Sequence, residues 1–427
     1  MERTRLAPGV YFSRENERQF NCCRLSLHFV LPASRQEATA RAVLPLLLER
    51  GYADCPDMTR LSRRLADLYG AALNADTRPM GSSYELCVSI TGICNRFALQ
   101  GEDLAAEYRR LLLGTAFHPC LVNGVFDPEA VEIEKAVLKQ SLENEINDKQ
   151  LHCALLAERQ FFGDSPAGIQ QGGYLDEVDG VTPWEITEAW RRILSESRIE
   201  LMAFGFTAEE EQALCGDLLG ELAAIARQPA ELNPFSAQPR TAPRHFVKTM
   251  DTTQAKLCLL FTSGRRMDPR FMAAYRMAVA LLGGTPTSRL FTRVREQQSL
   301  CYYCSANLSS FTGCLSVNCG IEPDQAARAE KAILTELAAL CGGPIEDEEF
   351  EHCRRRLMAR MKGVEDSLGG LEAWYFTELN RGDAVSTPRQ AREQLELVTK
   401  EDVRAVLNGF SLSVSYLLTP LEEAEHE

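Results

Sequence analysis

A proline-rich segment near the middle of the chain divides it into two halves. Residues 228–243 read QPAELNPFSAQPRTAP, with four prolines in sixteen residues and almost no apolar periodicity. Segments of this composition form semi-extended linkers rather than packed elements. With 427 residues, the chain is long enough for two or three domains that each bury their own core. We therefore predict one domain over residues 1–227, a linker over 228–243 and a second domain over 244–427.

The two halves have the same predicted order of elements. In each half a strand is followed by two helices, one or two strands, a helix, a long helix, a further helix and a strand. Alternating apolar residues indicate the strands, and an apolar period of about 3.6 residues indicates the helices. The long helices are predicted over about 128–162 and about 347–379. A shared order of this kind indicates an internal duplication.

A short local motif also recurs in both halves. Thr182 and Glu185 in VTPWEI correspond to Thr399 and Asp402 in VTKEDV. In each copy the threonine can cap a helix, and the acidic residue at the third helical position can complete a capping box. Each copy is followed by one helix and then a strand. We therefore predict an α+β fold of two tandem homologous domains, each a mainly antiparallel sheet with helices packed on it.

Charge and composition exclude several classes of function. The formal net charge is −14 and the basic residues do not cluster, so we expect neither nucleic acid nor an anionic membrane as a partner. No apolar run approaches the roughly 18 residues that span a bilayer, and the first residues do not resemble a secretory signal. Fifteen cysteines then indicate buried free thiols in a reducing compartment. The expected protein is soluble and cytoplasmic.

The second half carries two consecutive motifs that resemble a known family. They read LGGTPTSRLF at Leu282–Phe291 and RVREQQSLCY at Arg293–Tyr302. These closely resemble the signature of the insulinase-like M16 peptidases, which include pitrilysin and mitochondrial processing peptidase. The resemblance implies the LuxS/metallohydrolase-like fold in each half. The pieces LLLERG at 46–51 and LYGA at 68–71 resemble one bacterial branch, whose members are associated with elongation factor P modification.

The resemblance also implies where a zinc site should lie. In this family an H-x-x-E-H motif on the first helix supplies two zinc-binding histidines and a general base, and a distal glutamate completes the ligand set. The matching residues here are Leu46, Glu49 and Arg50, with Gln140 at the distal position. Leucine has no lone pair, and a guanidinium repels a cation. We expect Glu49 to form an ion pair with Arg50 or with a neighbouring helix.

The rest of the sequence offers no replacement metal site. None of the six histidines has another histidine three to five residues away, so no helix supplies a pair of imidazoles. Cys301 and Cys304 form a C-x-x-C pattern, but it begins an alternating strand, in which residues three apart point to opposite faces. We therefore expect no zinc and no other cofactor in this chain.

Arg295 and Tyr302 match a second functional feature of the family. In active members this arginine and tyrosine reach across the chamber to the scissile peptide and stabilise the developing oxyanion. In dimeric members one subunit carries zinc, and the other supplies the pair to its partner's site. A packing role fits the two residues equally well, with Arg295 at the end of a helix and Tyr302 in the strand that follows.

These features lead to three functional hypotheses. The first is a degenerate M16 subunit that pairs with a zinc-bearing homologue, or with itself, and lines a chamber for peptide substrates. The second is an active peptidase with unusual ligands, for example Glu134, Glu143 and a residue of a partner. The third is a peptide-binding scaffold with no part in hydrolysis. Zinc content distinguishes the first from the second, and the effect of Arg295 on a partner's activity distinguishes the first from the third.

Overall fold

The structure is a computed structural model that describes residues 1–15, 19–235, 237–239, 241–382 and 385–421. The chain divides into two units, which comprise Met1–Glu143 with Ile169–Pro234 and Asn144–Gly168 with Phe235–Glu427. The segment 144–168 therefore belongs to unit 2, although it precedes the proline-rich segment in the sequence. No helix in the described part of the chain is long and apolar enough to cross a membrane.

Unit 1 is built on a six-stranded sheet. The strands up to residue 204 are β1 (Glu2–Ala7), β2 (Val10–Glu15), β3 (Cys22–Pro32), β4 (Ala72–Met80), β5 (Ser83–Ile93), β6 (Leu121–Val122), β7 (Val125–Phe126) and β8 (Arg198–Phe204). The helices up to residue 223 are α1 (Ala38–Arg50), α2 (Met58–Asp67), α3 (Leu104–Phe117), α4 (Pro128–Asn147), α5 (Lys149–Phe162), α6 (Pro183–Glu196) and α7 (Ala208–Ala223). The sheet order is β1-β2-β8-β3-β5-β4, while β6 and β7 form a separate small ribbon.

Unit 2 is built on a five-stranded sheet. Its strands are β9 (Arg244–Met250), β10 (Ala255–Thr262), β11 (Tyr303–Leu308), β12 (Leu315–Ile321) and β13 (Ser411–Pro420). Its later helices are α8 (Met272–Val279), α9 (Ala326–Gly342), α10 (Asp347–Gly363), α11 (Leu368–Arg381), α12 (Pro388–Glu396) and α13 (Lys400–Leu407), and π-helical turns cover Ala280–Gly284 and Leu290–Gln297. The sheet order is β11-β12-β10-β13-β9.

The two sheets repeat one topology. Read from its far edge, the order β9-β13-β10-β12-β11 matches β2-β8-β3-β5-β4 strand for strand. The orientations agree too, because β9 pairs with β13 in parallel as β2 pairs with β8, and the other pairs within these sheets are antiparallel. Both predicted capping boxes form, at Thr182 and Thr399, and the helices they start lead into β8 and β13. The predicted fold, two homologous α+β domains with mainly antiparallel sheets, is confirmed.

The central strands are buried on both faces, which explains their composition. In β3 the side chains of Leu25, Leu27 and Phe29 are at most 1% exposed and belong to the main apolar core of unit 1. The alternate residues Ser26 and His28 are equally buried. In unit 2 one sheet face packs against α8, α9 and α13, and α5 packs on β10 and β13 of the same sheet. At the edges of the sheets, α1 packs beside β4 and α8 packs beside β11.

Both predicted long helices are interrupted, and capping side chains explain the breaks. Asp148 accepts hydrogen bonds from the backbone N–H groups of Gln150 and Leu151 and starts α5. Ser367 accepts one from Gly370 and starts α11. A side-chain acceptor at this position satisfies backbone donors that would otherwise lack a partner, so it favours a new helix start. The continuous helices predicted over 128–162 and 347–379 were therefore wrong. The proline-rich segment contains no helix or strand among its described residues.

Candidate functional site

The residues that match the zinc motif lie on the last turn of α1. Leu46 is half-buried, and Glu49 and Arg50 follow it at the end of the helix. The helix ends at Gly51, whose φ of +153° is rarely adopted by other residues. An added Cβ there would lie 2.3 Å from the carbonyl oxygen of Cys55, so a side chain does not fit. The glycine fixes the direction in which the chain leaves the motif.

Arg50 forms an ion pair with Glu134 on α4. Its Nη1 lies 2.6 Å from Glu134 Oε1, and the Glu134 side chain is only about one tenth exposed. The sequence analysis expected Glu49 to pair with Arg50 or with a neighbouring helix, and it made no prediction of a partner for Arg50 other than Glu49. The guanidinium thus occupies the second ligand position of the motif and already neutralises the nearest buried carboxylate. Together with Leu46, this arrangement does not fit a zinc ion, because it offers no imidazole and carries a positive charge.

Glu49 has a different contact from the one expected. Its Oε1 accepts a hydrogen bond of 2.8 Å from the backbone N–H of Ala75 on the edge strand β4. Partial burial raises the pKa of Glu49, while the hydrogen bond from Ala75 acts in the opposite direction. The expected ion pair of Glu49 is therefore wrong, and its carboxylate satisfies an outward N–H group of the sheet edge.

Gln140, at the distal ligand position, is exposed on α4. At about 100° per residue it points roughly 120° away from Glu134, whereas Ser141 lies within about 20° of the Glu134 direction. Neither side chain has the carboxylate of a zinc ligand. Sequence reasoning named Glu134 only as a ligand of an alternative site. Its role as the partner of Arg50 has no local signal, because 84 positions separate the two residues.

Arg289 in the LGGTPTSRLF motif is a structural residue. Its side chain is 1% exposed, and its Nε and Nη2 donate to the Glu349 carboxylate at 2.7 and 3.0 Å. Nη2 also donates to the carbonyl oxygen of Pro344 at 2.7 Å. A bidentate, buried contact of this kind holds the segment after α8 against the start of α10. This part of the signature therefore supports the fold rather than chemistry.

Arg295 and Tyr302 both line a surface concavity of about 410 Å³ in unit 2. The guanidinium of Arg295 stacks on the ring of Phe291 at 4.6 Å, and its Nε lies 3.7 Å from Glu296. Tyr302 is 49% exposed and its hydroxyl donates to Glu322, a hydrogen bond that raises the pKa of Tyr302. Since neither side chain is enclosed by packing, both can reach a molecule at the surface.

Comparison with known proteins agrees with the family resemblance drawn from the motif residues. Residues 180–357 match the family described as Peptidase M16 inactive domain. The chain is 24% identical over 407 residues to "Probable inactive metalloprotease YmfF" of Bacillus subtilis, with 95% of each chain covered. It is 26% identical over 291 residues to "Uncharacterized zinc protease Rv2782c" of Mycobacterium tuberculosis, which covers 67% of this chain and 66% of that one. Residues 180–357 of this chain thus resemble the inactive domain of the M16 peptidases.

Solved structures share the fold of this chain. A conserved protein from Enterococcus faecalis superposes with a TM-score of 0.90 at 24% identity over 99% of both chains. A peptidase M16 inactive domain from Pseudomonas fluorescens superposes with a TM-score of 0.75 at 17% identity over 97% of both chains. The resemblance drawn from the signature residues is thereby confirmed, and so is the two-domain α+β fold.

The thiols of Cys301 and Cys304 meet, contrary to the sequence expectation. The neighbouring Cys304 thiol, together with burial, raises the pKa of Cys301. The reason is that β11 begins only at Tyr303, after a turn in which Ser299 has a positive φ. Cys301 therefore precedes the strand, and the alternation of a strand does not apply to it. Cys304 also lies opposite Cys319 on β12.

One group of potential metal ligands occurs in the described part of the chain, and it is not at the motif. His28, Glu85 and Cys87 lie on β3 and β5, buried, with their ligand atoms within 4.8 Å of one another. The imidazole is hydrogen-bonded at both nitrogens, through Nδ1 to Glu85 at 2.6 Å and through Nε2 to Ser26 at 2.9 Å. An imidazole needs a free nitrogen to bind a metal. The contacts present make His28 a link between neighbouring strands.

Proposed function

We propose that this chain is a catalytically inactive M16 subunit that binds no zinc itself. In this proposal it pairs with a zinc-bearing homologue as a heterodimer, lines part of a peptide chamber and lends Arg295 and Tyr302 to the partner's site. The observation that carries the proposal is the Arg50–Glu134 ion pair at 2.6 Å, at the place where the family motif requires a zinc ligand. The similarity to a relative named as a probable inactive metalloprotease supports it.

The chemistry of the motif favours inactivity of the isolated chain. Peptide hydrolysis by this family needs a metal-bound water and a glutamate to take its proton. Glu49 is retained at the position of the base, but its carboxylate accepts the N–H of Ala75. Without a metal ligand at Leu46 or Arg50, no activated water is available to Glu49.

The alternative of an active peptidase with unusual ligands has less support. Glu134 is held by Arg50. Glu143, the second carboxylate of that alternative, is exposed on the same helix nine residues later. At about 100° per residue the two side chains point to opposite sides of α4, so they do not converge on one ion. Stoichiometric zinc in the purified chain, measured by elemental analysis, would support this alternative and contradict our proposal.

The exposure of Arg295 and Tyr302 in unit 2 supports a contribution of these residues to a partner's site. A guanidinium and a phenol are hydrogen-bond donors of the kind that stabilise an oxyanion. Arg295 is partly exposed and Tyr302 is half-exposed, so both are available at a surface. A peptide-binding scaffold would retain such a concavity as well. The scaffold hypothesis therefore differs from ours only in whether these residues affect hydrolysis.

The experiment measures peptide hydrolysis by a complex of this chain with a zinc-bearing M16 homologue. We expect Arg295→Ala to lower kcat by about 10²- to 10³-fold, which is typical for the loss of one oxyanion donor. Tyr302→Phe should also lower kcat, with complex yield and unfolding temperature close to wild type. The matched control is Arg355→Ala, since Arg355 is an exposed arginine of α10 outside the concavity. Unchanged hydrolysis in an intact complex would identify the chain as a scaffold.

Location and assembly belong to the same proposal. All fifteen cysteines are free thiols, which is consistent with a reducing cytoplasm. Size-exclusion chromatography with light scattering would distinguish a homodimer of this chain from a heterodimer that forms only with the homologue. A link to elongation factor P modification stays a prediction from the bacterial-branch resemblance.

A further inference from the structure

Unit 2 contains a second cavity, separate from the concavity around Arg295. It has a volume of about 360 Å³ and lies between α8, α10, α11 and the end of the edge strand β11. This size is in the lower part of the range for small-ligand sites. Its walls combine apolar side chains, including Met267, Met272 and Met361, with four arginines. No acidic residue is among its lining residues.

The four arginines have too few carboxylates nearby to balance their charge. Arg276 and Arg381 share the single carboxylate of Glu378. Arg356 and Arg360 lie one turn apart on α10, are exposed, and form no ion pair within the described part of the chain. This excess of positive charge occurs in a chain whose formal net charge is −14. A positively charged cavity in a negatively charged protein favours the binding of an anion.

Burial increases the cost of this charge. It lowers the pKa of Arg276 to about 10, and the neighbouring Arg381 contributes in the same direction. The Arg276 guanidinium also stacks on the ring of Trp374 at 4.5 Å, so its plane is held in one orientation. An anion bound in the cavity would offset this positive charge and could accept hydrogen bonds from Arg356 and Arg360, which have no carboxylate partner among the described residues.

The apolar walls restrict what the anion is attached to. Methionine side chains adapt to bulky apolar groups, and three of them line this cavity in buried positions. Asn307 and Leu308, at the end of β11, line the cavity as well. Because β11 is an edge strand, its outward N–H and C=O groups can pair with an extended peptide. A lipid chain would leave these backbone groups unused.

We propose that this cavity binds a carboxylate of a peptide together with an adjacent bulky apolar side chain. The carboxylate pairs with Arg356 and Arg360, and the apolar side chain enters between the methionines. This inference goes beyond the proposed function, since it requires neither a zinc-bearing partner nor Arg295. The carboxylate can come from an acidic side chain or from a peptide C-terminus, and both have the same chemistry.

The test measures binding of short peptides to the full-length chain by isothermal titration calorimetry. The first probe is a blocked tetrapeptide in which phenylalanine precedes glutamate, with its glutamine counterpart as a neutral control. The second probe is a tripeptide with a blocked N-terminus that ends in phenylalanine with a free carboxylate. The same peptide with a C-terminal amide is its control. We expect the acids to bind at least about tenfold more tightly than their neutral counterparts. Which acid binds more tightly identifies the source of the carboxylate.

Substitutions in the cavity test whether the peptide binds there. The double substitution R356Q/R360Q should weaken binding of the acidic peptide that binds more tightly by about tenfold or more. Because both residues are exposed, the unfolding temperature should stay unchanged. The matched control is Arg355→Gln, an exposed neighbour on α10 that does not line the cavity, which should change affinity less than twofold. Equal binding of acid and neutral peptides, or undiminished binding by R356Q/R360Q, would overturn the proposal. Tighter binding of dodecanoate than of any peptide would replace the peptide by a lipid.

Discussion

The ion pair between Arg50 and Glu134 leads to a quantitative prediction about stability. Arg50→Met retains most of the length and apolar surface of the side chain, but it leaves the Glu134 carboxylate without its cation. Glu134→Gln removes the negative charge instead, and the double variant removes both charges. If the pair replaces a metal site as a fixed internal contact, each single change should destabilise unit 1, and the double change should cost less than the sum.

The expected magnitude follows from the partial burial of the pair. Removing one partner of a fully buried pair typically costs about 3–5 kcal/mol, and an exposed pair contributes about 0.2–1 kcal/mol. The side chains of Arg50 and Glu134 are 28% and 10% exposed, which lies between these cases. We therefore expect Arg50→Met to lower the free energy of unfolding by about 2 kcal/mol, with a coupling energy of about 1 kcal/mol. For a unit of roughly 200 residues this corresponds to a fall in Tm of about 4–8 °C.

The assay is a double-mutant cycle by urea unfolding, supported by differential scanning calorimetry. Wild type, Arg50→Met, Glu134→Gln and the double variant are compared under identical conditions. Arg50→Lys serves as a control that keeps the charge and loses the planar fork, and it should fall between wild type and Arg50→Met. A loss below about 0.5 kcal/mol for Arg50→Met, with no measurable coupling, would refute the reasoning. It would mean that the guanidinium is in effect solvated and does not occupy the former ligand position.

Three further predictions concern other parts of unit 1 and the duplication. Thr182→Ala and Thr399→Ala should each cost about 1 kcal/mol in thermal unfolding, since each removes one capping box; a loss at only one site would contradict their equivalence. The folded protein raises the pKa of Glu49 above its usual 4.5. The stability that the neutral carboxyl group provides is therefore lost as the pH rises from about 4.5 through the raised pKa. Glu49→Gln should make the urea midpoint of unfolding less dependent on pH in this range. His28→Ala should cost about 2 kcal/mol in urea unfolding, because the buried Glu85 carboxylate then keeps its ion pair with Arg78 but loses its histidine partner, and a cost below about 0.5 kcal/mol would contradict this role.

Much of the fold could be predicted because its signals are local. The central strands are apolar on both faces or alternate clearly, and the capping boxes at Thr182 and Thr399 are each contained within four residues. The sequence analysis missed six strands. Of these, β1, β4 and β9 lie at sheet edges, β6 and β7 are two residues long, and β2 is half polar. The segment ALNADTRPM of β4 contains Asp76 and Pro79, which are unfavourable in strands. It is a strand because it pairs with β5 over nine residues, and no local pattern records that pairing.

The candidate site was predictable in its residue types and unpredictable in its contacts. The positions of Leu46 and Arg50 follow from a motif of fixed spacing, so the absence of imidazole side chains there can be read from the sequence. The partner of Arg50 lies 84 residues away on a helix whose predicted course was itself too long. The meeting of the Cys301 and Cys304 thiols depends on where β11 begins, a boundary that propensities do not fix.

The duplication allows the end of α1, where the residues match the zinc motif, to be compared with its counterpart in unit 2. In unit 1 the end of α1 is closed by an internal pair of opposite charges, Arg50 and Glu134. In unit 2 the matching helix α8 ends in the π-helical turn Ala280–Gly284, whose small residues line a cavity instead of filling it. The helix that faces this turn supplies Arg356 and Arg360 in place of a carboxylate. At corresponding places of the shared fold, unit 1 therefore has a neutral ion pair and unit 2 has an excess of positive charge. An anionic peptide would be attracted to unit 2, while Arg50, the cation at the corresponding place of unit 1, is already paired with Glu134.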